Sequence, residues 1–397
     1  MRIALVTGTA VPSPAVRSSG TSAPAAVSEP QIQGIRVAAL ARTLAGLGHQ
    51  VTIYARKDAP ARPRTSAAGA VTIEYLPAGP AAPLPEDKLL GQMGNFSAEL
   101  ARCWRLRPPD VVHAHFWTSG LAALAAAREL PMPVVQTFHS LGPPVTGQPP
   151  VRSRFEALIA RSVKTVLAGS TRELSALARM GVPRTSIRLV PAGVDVRAFG
   201  PAGPVARRSK RPRLLAVSTL QTAHGLGTAV EALARVPGAE LVVAGGPPQA
   251  ELAADPVLQE LVRQAQRLGV SDRLMFTGKV TGARTAALLR SADLYVHVAL
   301  DEPVGLLPLE AMACGTPVVA WAGGSDQDAV VDGATGVLVP PGDPGALARR
   351  IRQLLASPML LQGFGIAAAD RVRTRYSWER VGAETLAAYE SSRQPAG

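Results

Sequence analysis

Two carboxylates frame the segment of this 397-residue chain best equipped for chemistry, Asp301-Glu302-Pro303-Val304-Gly305-Leu306-Leu307-Pro308-Leu309-Glu310-Ala311-Met312-Ala313-Cys314-Gly315-Thr316-Pro317-Val318-Val319. Its pattern predicts a strand that ends in a carboxylate and a Pro/Gly turn into a helix whose first N–H groups are free. The second carboxylate, Glu310, then sits about one turn inside that helix. Such a helix start can hold an anion on its backbone amides. The carboxylates can accept hydrogen bonds from sugar or ribose hydroxyls. Glu310 alone would read as a solvent-facing helix carboxylate.

Other residues with chemical potential sit at strand ends. His113 and His115 alternate along one strand, so both point to one face, where they read first as packing and cleft-wall residues. No carboxylate or third His follows at ligand spacing, which argues against a metal site. His139 stands alone at another strand end. Gly245 and Gly246 follow a strand, as does Gly278-Lys279-Val280; both segments read equally as turns.

The elements needed to position these groups are visible as short apolar runs alternating with amphipathic stretches, the pattern of parallel sheets built from βαβ units. In the first half the strands are expected at 2–6, 50–54, 71–75, 111–114, 134–138, 165–168 and 187–190. Helices are expected at 33–47, closed by Gly48, and at 120–129. The pattern restarts with strands at 213–217, 240–244, 274–277, 294–298 and 317–320. Two doubly wound sheets follow. Between them, the Pro/Gly stretch 199–204 and the charge run 207–212 read as a linker. Residues 9–29, rich in Ala, Ser and Pro, read either as a ligand-facing loop at the sheet's C-terminal edge or as a surface insertion. A last helix is expected from Ser377, its cap, to Tyr389.

The 301–319 segment resembles the two-glutamate motif of the retaining glycosyltransferases of family 4, the group 1 glycosyltransferases. The likeness extends over nearly the whole chain through Asp110-Val111-Val112-His113-Ala114-His115-Phe116, Gln136-Thr137-Phe138-His139-Ser140, Val190-Pro191-Ala192-Gly193-Val194-Asp195, Val243-Ala244-Gly245-Gly246-Pro247, Gly323-Gly324 and Val331-Asp332-Gly333. The resemblance implies an α/β GT-B fold, with two Rossmann-like doubly wound parallel-sheet domains facing an interdomain cleft. Residues 1–200 would form the acceptor-side domain and 201–375 the nucleotide-sugar domain, with a helix at 376–392 crossing back to the first.

The resemblance also implies roles. Glu310 would hold the ribose hydroxyls and Glu302 would face the donor sugar, with His139 reaching it from the other domain; Glu302 and His139 are the catalytic pair. Backbone amides of Val304, Gly305, Leu306 and Leu307 would serve sugar and phosphate. Gly245 and Gly246 would lie under the diphosphate, and Lys279 and Val280 would pack the base. Gln33, Gly34 and His115 would stand on the acceptor side. No cofactor and no metal is implied beyond the nucleotide-diphosphate sugar itself.

The chain departs from the family where charge matters. The first C-terminal-domain strand of the family normally ends in Gly-Arg-Leu, followed by Lys-Gly, and that Arg and Lys clamp the donor diphosphate. Here the stretch reads Ser218-Thr219-Leu220-Gln221-Thr222-Ala223-His224-Gly225, so Thr219 and His224 replace the cations. Gln31-Ile32-Gln33-Gly34 stands where a Gly-Gly turn is usual, and Val304 where Phe is usual. Two readings follow. One is a working retaining transferase with an atypical diphosphate site; the other is a catalytically weakened homologue that acts as partner or regulator of an active transferase. No epimerase or phosphorylase signature is present.

Composition narrows the remaining classes. The net charge is +13, of which +11 lies in residues 1–205 as scattered arginines without interleaved aromatic rings, unlike a single-strand nucleic-acid binder. Expected partners are a nucleotide-sugar donor and a small-molecule or glycan acceptor, with no nucleic acid and at most peripheral membrane contact. Hydrophobic residues are 47% of the chain, yet no apolar run approaches the roughly 20 residues of a bilayer span. The first residues read as a strand rather than a signal peptide. Cys103 and Cys314 suggest neither disulfide nor zinc, so a cytoplasmic location is expected, at most peripheral to the inner membrane surface.

Overall fold

The computed structural model describes residues 1–8, 29–142, 150–218, 220, 225–298, 306–323 and 325–394, without the side chains of 29–31, 68 and 325. The chain divides into two units. One contains the stretch Ser28–Ala192 together with the first strand and the helix from Trp378 onward; the other contains Gly193–Ser377.

The first unit is built on β1 (Arg2–Thr7), β2 (Gln50–Arg56), β3 (Thr65–Ala68), β4 (Val71–Leu76), β5 (Val111–His115), β6 (Val134–Thr137), β7 (Thr165–Ala168) and β8 (Ile187–Leu189). They form one sheet in the order β3-β4-β2-β1-β5-β6-β7-β8. Only the β3–β4 pairing is antiparallel. Both faces are covered, which is why these strands are nearly continuous apolar runs. The pleat sorts them: Ala4 and Val6 pack with Phe96, Trp104 and Ile159 on one face, while Ile3 and Leu5 pack with Val37, Leu44 and Tyr389 on the other. That second face is closed by the helices Glu29–Gly46 and Trp378–Arg393. They cross tightly, since a Cβ at Gly382 would stand 2.6 Å from Thr43 Cγ2.

The second unit holds β9 (Arg213–Val217), β10 (Glu240–Ala244), β11 (Leu274–Phe276), β12 (Leu294–His297), β13 (Val318–Trp321) and β14 (Gly336–Val339). The sheet order is β11-β10-β9-β12-β13-β14, and every pairing is parallel. In each sheet the connections run outward in opposite directions from a central pair, β1 and β5 in the first and β9 and β12 in the second. Loops leaving the C-terminal ends of such a pair part there and leave room for a ligand.

The stretch 199–204 lies inside the second unit instead of forming a free linker. Phe199 is fully buried, and the Arg290 guanidinium donates to the carbonyls of Ala198, Gly200 and Pro204. The polar β3 lies at a sheet edge and had no apolar run to announce it; β14, at another edge, is the short apolar run Gly336-Val337-Leu338-Val339, which the expected strands did not include. The helix expected at 120–129 starts earlier, at Trp117. Among the described residues no helix is long and apolar enough to cross a membrane.

Candidate functional site

At the C-terminal edge of the first sheet, β5 ends in His115 and β6 leads through Phe138 to His139. The two imidazoles meet, with His115 Nδ1 3.0 Å from His139 Nε2 and the rings stacked at 5.2 Å between centroids. His113 lies on the same face as expected, its ring 4.1 Å from that of His115. It is fixed by the Tyr389 hydroxyl at 2.7 Å and the Thr137 hydroxyl at 2.8 Å. Backbone strain accompanies this edge: Phe116 and His139 have φ of 72° and 64°, uncommon for residues with a side chain.

Burial keeps these rings neutral. His115 is pushed down to about 3 by loss of solvent. His139 is held well below the ordinary imidazole value by its protein surroundings, with the neighbouring His115 and Arg36 charges adding. The Nε2 of His115 is buried without a hydrogen-bond partner. Gln33, Gly34 and Arg36 are buried on the helix Glu29–Gly46. Residues 31–34 therefore lie in a helix, not in the Gly-Gly type of turn usual in the family.

In the second unit Glu310 lies in the helix Leu306–Ala313 and is 0% exposed. Among the described residues neither carboxylate oxygen has a partner. Burial raises its carboxyl well above the usual range, and the nearby Asp195 charge raises it further. An unpaired buried carboxylate is costly, so the site has the chemistry of one that awaits hydroxyl or other N–H/O–H donors. Leu306 is buried and Leu307 half-buried at the start of the same helix.

Gly245 and Gly246 end β10 with φ of 115° and 82°. A Cβ at Gly246 would stand 2.4 Å from Leu220 Cδ1, so the β9 and β10 loops touch there. The Gly245 N–H donates to Gly278 O at 2.9 Å, and the Lys279 N–H to Pro247 O at 3.0 Å. This clasp brings 245–247 and 278–280 together, with Val280 buried and the Lys279 side chain exposed.

Glu302, Thr219, His224, Val304 and Gly305 lie outside the described residues. Among the described residues no group of three or more His, Cys, Asp and Glu side chains is arranged to hold a metal. One feature escaped the sequence reading: His297 at the end of β12 pairs through Nδ1 with Asp326 Oδ2, both buried, and stacks on Tyr295. Their separation in sequence hides the pair, and a lone His within an apolar strand carries no other signal.

The profile of glycosyl transferases group 1 matches residues 203–371, and that of glycosyltransferase family 4 matches residues 33–198. D-inositol 3-phosphate glycosyltransferase 2 of Catenulispora acidiphila is 32% identical over 385 residues, covering 90% of this chain and 89% of the relative. The D-inositol 3-phosphate glycosyltransferase of Xylanimonas cellulosilytica is 33% identical over 392 residues, covering 91% and 92%. Among solved structures, sucrose-phosphate synthase from Thermosynechococcus elongatus superimposes with a TM-score of 0.79 at 27% identity over 98% of each chain. With two doubly wound parallel sheets and both halves matched in order, the chain belongs to glycosyltransferase family 4, the group 1 glycosyltransferases of GT-B fold.

Proposed function

We propose that this glycosyltransferase moves a sugar, with retention, from a nucleotide-diphosphate sugar to an acceptor hydroxyl, using an atypical diphosphate site in which Thr219 and His224 stand in for Arg and Lys. The observation that carries this reading is Glu310, fully buried with both carboxylate oxygens unpartnered. A protein without a ligand for that site would leave a buried carboxylate uncompensated for no return. Two vicinal ribose hydroxyls supply the donors it lacks.

In this mechanism the second unit holds the donor and the first presents the acceptor. The acceptor oxygen attacks the anomeric carbon, the bond from that carbon to the phosphate oxygen breaks, and the acceptor proton passes to the departing phosphate. Glu302 faces the sugar, and His139 offers it a neutral imidazole. His224 neutralises the leaving diphosphate as imidazolium. The names of the relatives make D-inositol 3-phosphate the first acceptor to try.

The substitution of both clamp cations favours a second reading, a weakened homologue that serves as partner of an active transferase. Removing one such group typically costs on the order of 10²-fold in rate. The two readings part in one experiment: nucleoside diphosphate release from UDP- and GDP-sugars, with and without acceptor, for the wild type, Glu310→Ala and the double variant Thr219→Arg/His224→Lys. Wild-type turnover that disappears in Glu310→Ala supports the working enzyme. Turnover only in the double variant overturns it in favour of the partner.

A further inference from the structure

After β7 the chain turns at Gly169 into the helix Thr171–Arg179, and Ser170 caps that helix by accepting from the Glu173 N–H at 3.1 Å. In a Ser-x-x-Glu capping box the glutamate returns to the N–H of the cap residue itself. Glu173 reaches one residue further out. The Gly169 N–H donates to its Oε2 at 2.7 Å, while Oε1 is buried and has no partner. The residue is only 9% exposed. Its charged neighbours are Glu156, from the helix Val151–Ser162, and Arg36. Arg36 also acts on His139, which places Glu173 and the histidine pair around one arginine.

A cap alone does not account for this geometry. Helix starts favour an ionised carboxylate at an exposed position, whereas Glu173 is desolvated enough to be raised to about 7. One oxygen does the capping and the other is left over. Across the same edge, His115 Nε2 is another buried atom without a partner among the described residues. β5 pairs with β6 and β6 with β7, so the end of β5 that carries His115 and the end of β7 that leads into the Glu173 helix are two strand spacings apart, roughly 10 Å. A hexose or cyclitol ring with a hydrogen bond on each side spans about that distance.

We propose that Glu173 is an acceptor-binding residue, its free carboxyl oxygen taking one hydroxyl of a six-membered-ring polyol while the His115–His139 pair meets another. The assignment rests on the transferase reading above. Near neutrality the carboxyl exchanges its proton readily, so it can accept from a hydroxyl or donate to one, which suits an alcohol acceptor.

The test is calorimetric binding at pH 8 of UDP, and then, with UDP present, of myo-inositol, D-inositol 3-phosphate and glucose. Wild type, Glu173→Met and Glu173→Gln are compared; Met fills the same volume without a polar end. The expected result is that at least one ring polyol binds the wild type and loses tenfold or more in Glu173→Met, while UDP affinity stays within twofold in both variants. Retained UDP binding shows that the variants fold. A polyol that binds all three proteins equally overturns the proposal, as does the absence of any polyol binding to a wild type that binds UDP. Failure of the wild type to bind UDP removes the transferase reading itself.

Discussion

His115 Nδ1 and His139 Nε2 share one proton across 3.0 Å, and the opposite nitrogen of His115 is buried without a partner. Only one of the two facing nitrogens can donate. Either tautomer leaves His115 Nε2 unsatisfied, as a buried N–H if His139 donates and as a buried lone pair if His115 donates, and an orphaned buried N–H is the rarer arrangement. His115 therefore donates from Nδ1, and His139 keeps its own proton on Nδ1. Long-range ¹⁵N–¹H spectra at pH 7.5 are expected to show both rings in the Nδ1–H form; an Nε2–H signal from His115 would falsify the assignment.

The same pair sets an acid limit. His115 is pushed down to about 3 and His139 well below the ordinary value, while an unfolded imidazole titrates near pH 6.5. The unfolded chain thus binds protons that the native chain refuses. This stability is complete above about pH 6.5 and is lost as pH falls toward the native values. His115 alone accounts for about 2 kcal/mol between pH 7 and 5. Urea unfolding of His115→Gln at pH 7.5, 6 and 5 should show a flatter pH dependence than the wild type. Parallel curves would mean that the native ring is not held neutral.

Glu310 has the opposite sign. Its native carboxyl is raised by burial and by Asp195, so the native state holds a proton more tightly than the unfolded chain does. The unliganded protein loses stability as pH rises from the ordinary carboxyl value through the raised one. Glu310→Gln removes that penalty, and at pH 7.5 it should unfold at higher urea by on the order of 1–3 kcal/mol. Calorimetry should show UDP bound roughly 10- to 100-fold more weakly, since charge-assisted hydrogen bonds to ribose are lost. Stability up and affinity down together distinguish a ligand site from a mere packing position. A variant that loses both would refute the binding role.

The fold was legible because its two sheets are buried on both faces and announce themselves as apolar runs between helices. The edge strand β3 was not legible: Thr65-Ser66-Ala67-Ala68 has no apolar face, and its pairing with β4 is what defines it. The candidate site divides the same way. Glu310 and His139 stand in contiguous motifs, whereas the His297–Asp326 pair joins the end of β12 to a residue 29 positions further on. Ser170 and Glu173 have the spacing of a capping box, and only three dimensions reveal the oxygen that the cap leaves free. Glu302, Thr219 and His224 are named by the motif and lie outside the described residues.

The last prediction concerns the approach of β12 to the helix Leu226–Ala234. Gly225 opens that helix with φ of 89°, and a Cβ there would stand 1.8 Å from the carbonyl oxygen of Val298. That carbonyl also accepts from Trp321 Nε1 at 2.6 Å, so it cannot yield without breaking a buried bond. Gly238 has a similar φ of 76° but nothing within 4 Å of its Cβ position. Alanine at Gly238 therefore costs only the left-handed backbone, about 1 kcal/mol. Alanine at Gly225 adds a backbone collision, for a total of about 3 kcal/mol or more. The comparison isolates the close approach: equal losses in urea unfolding for Gly225→Ala and Gly238→Ala would show that the helix start and the end of β12 do not touch.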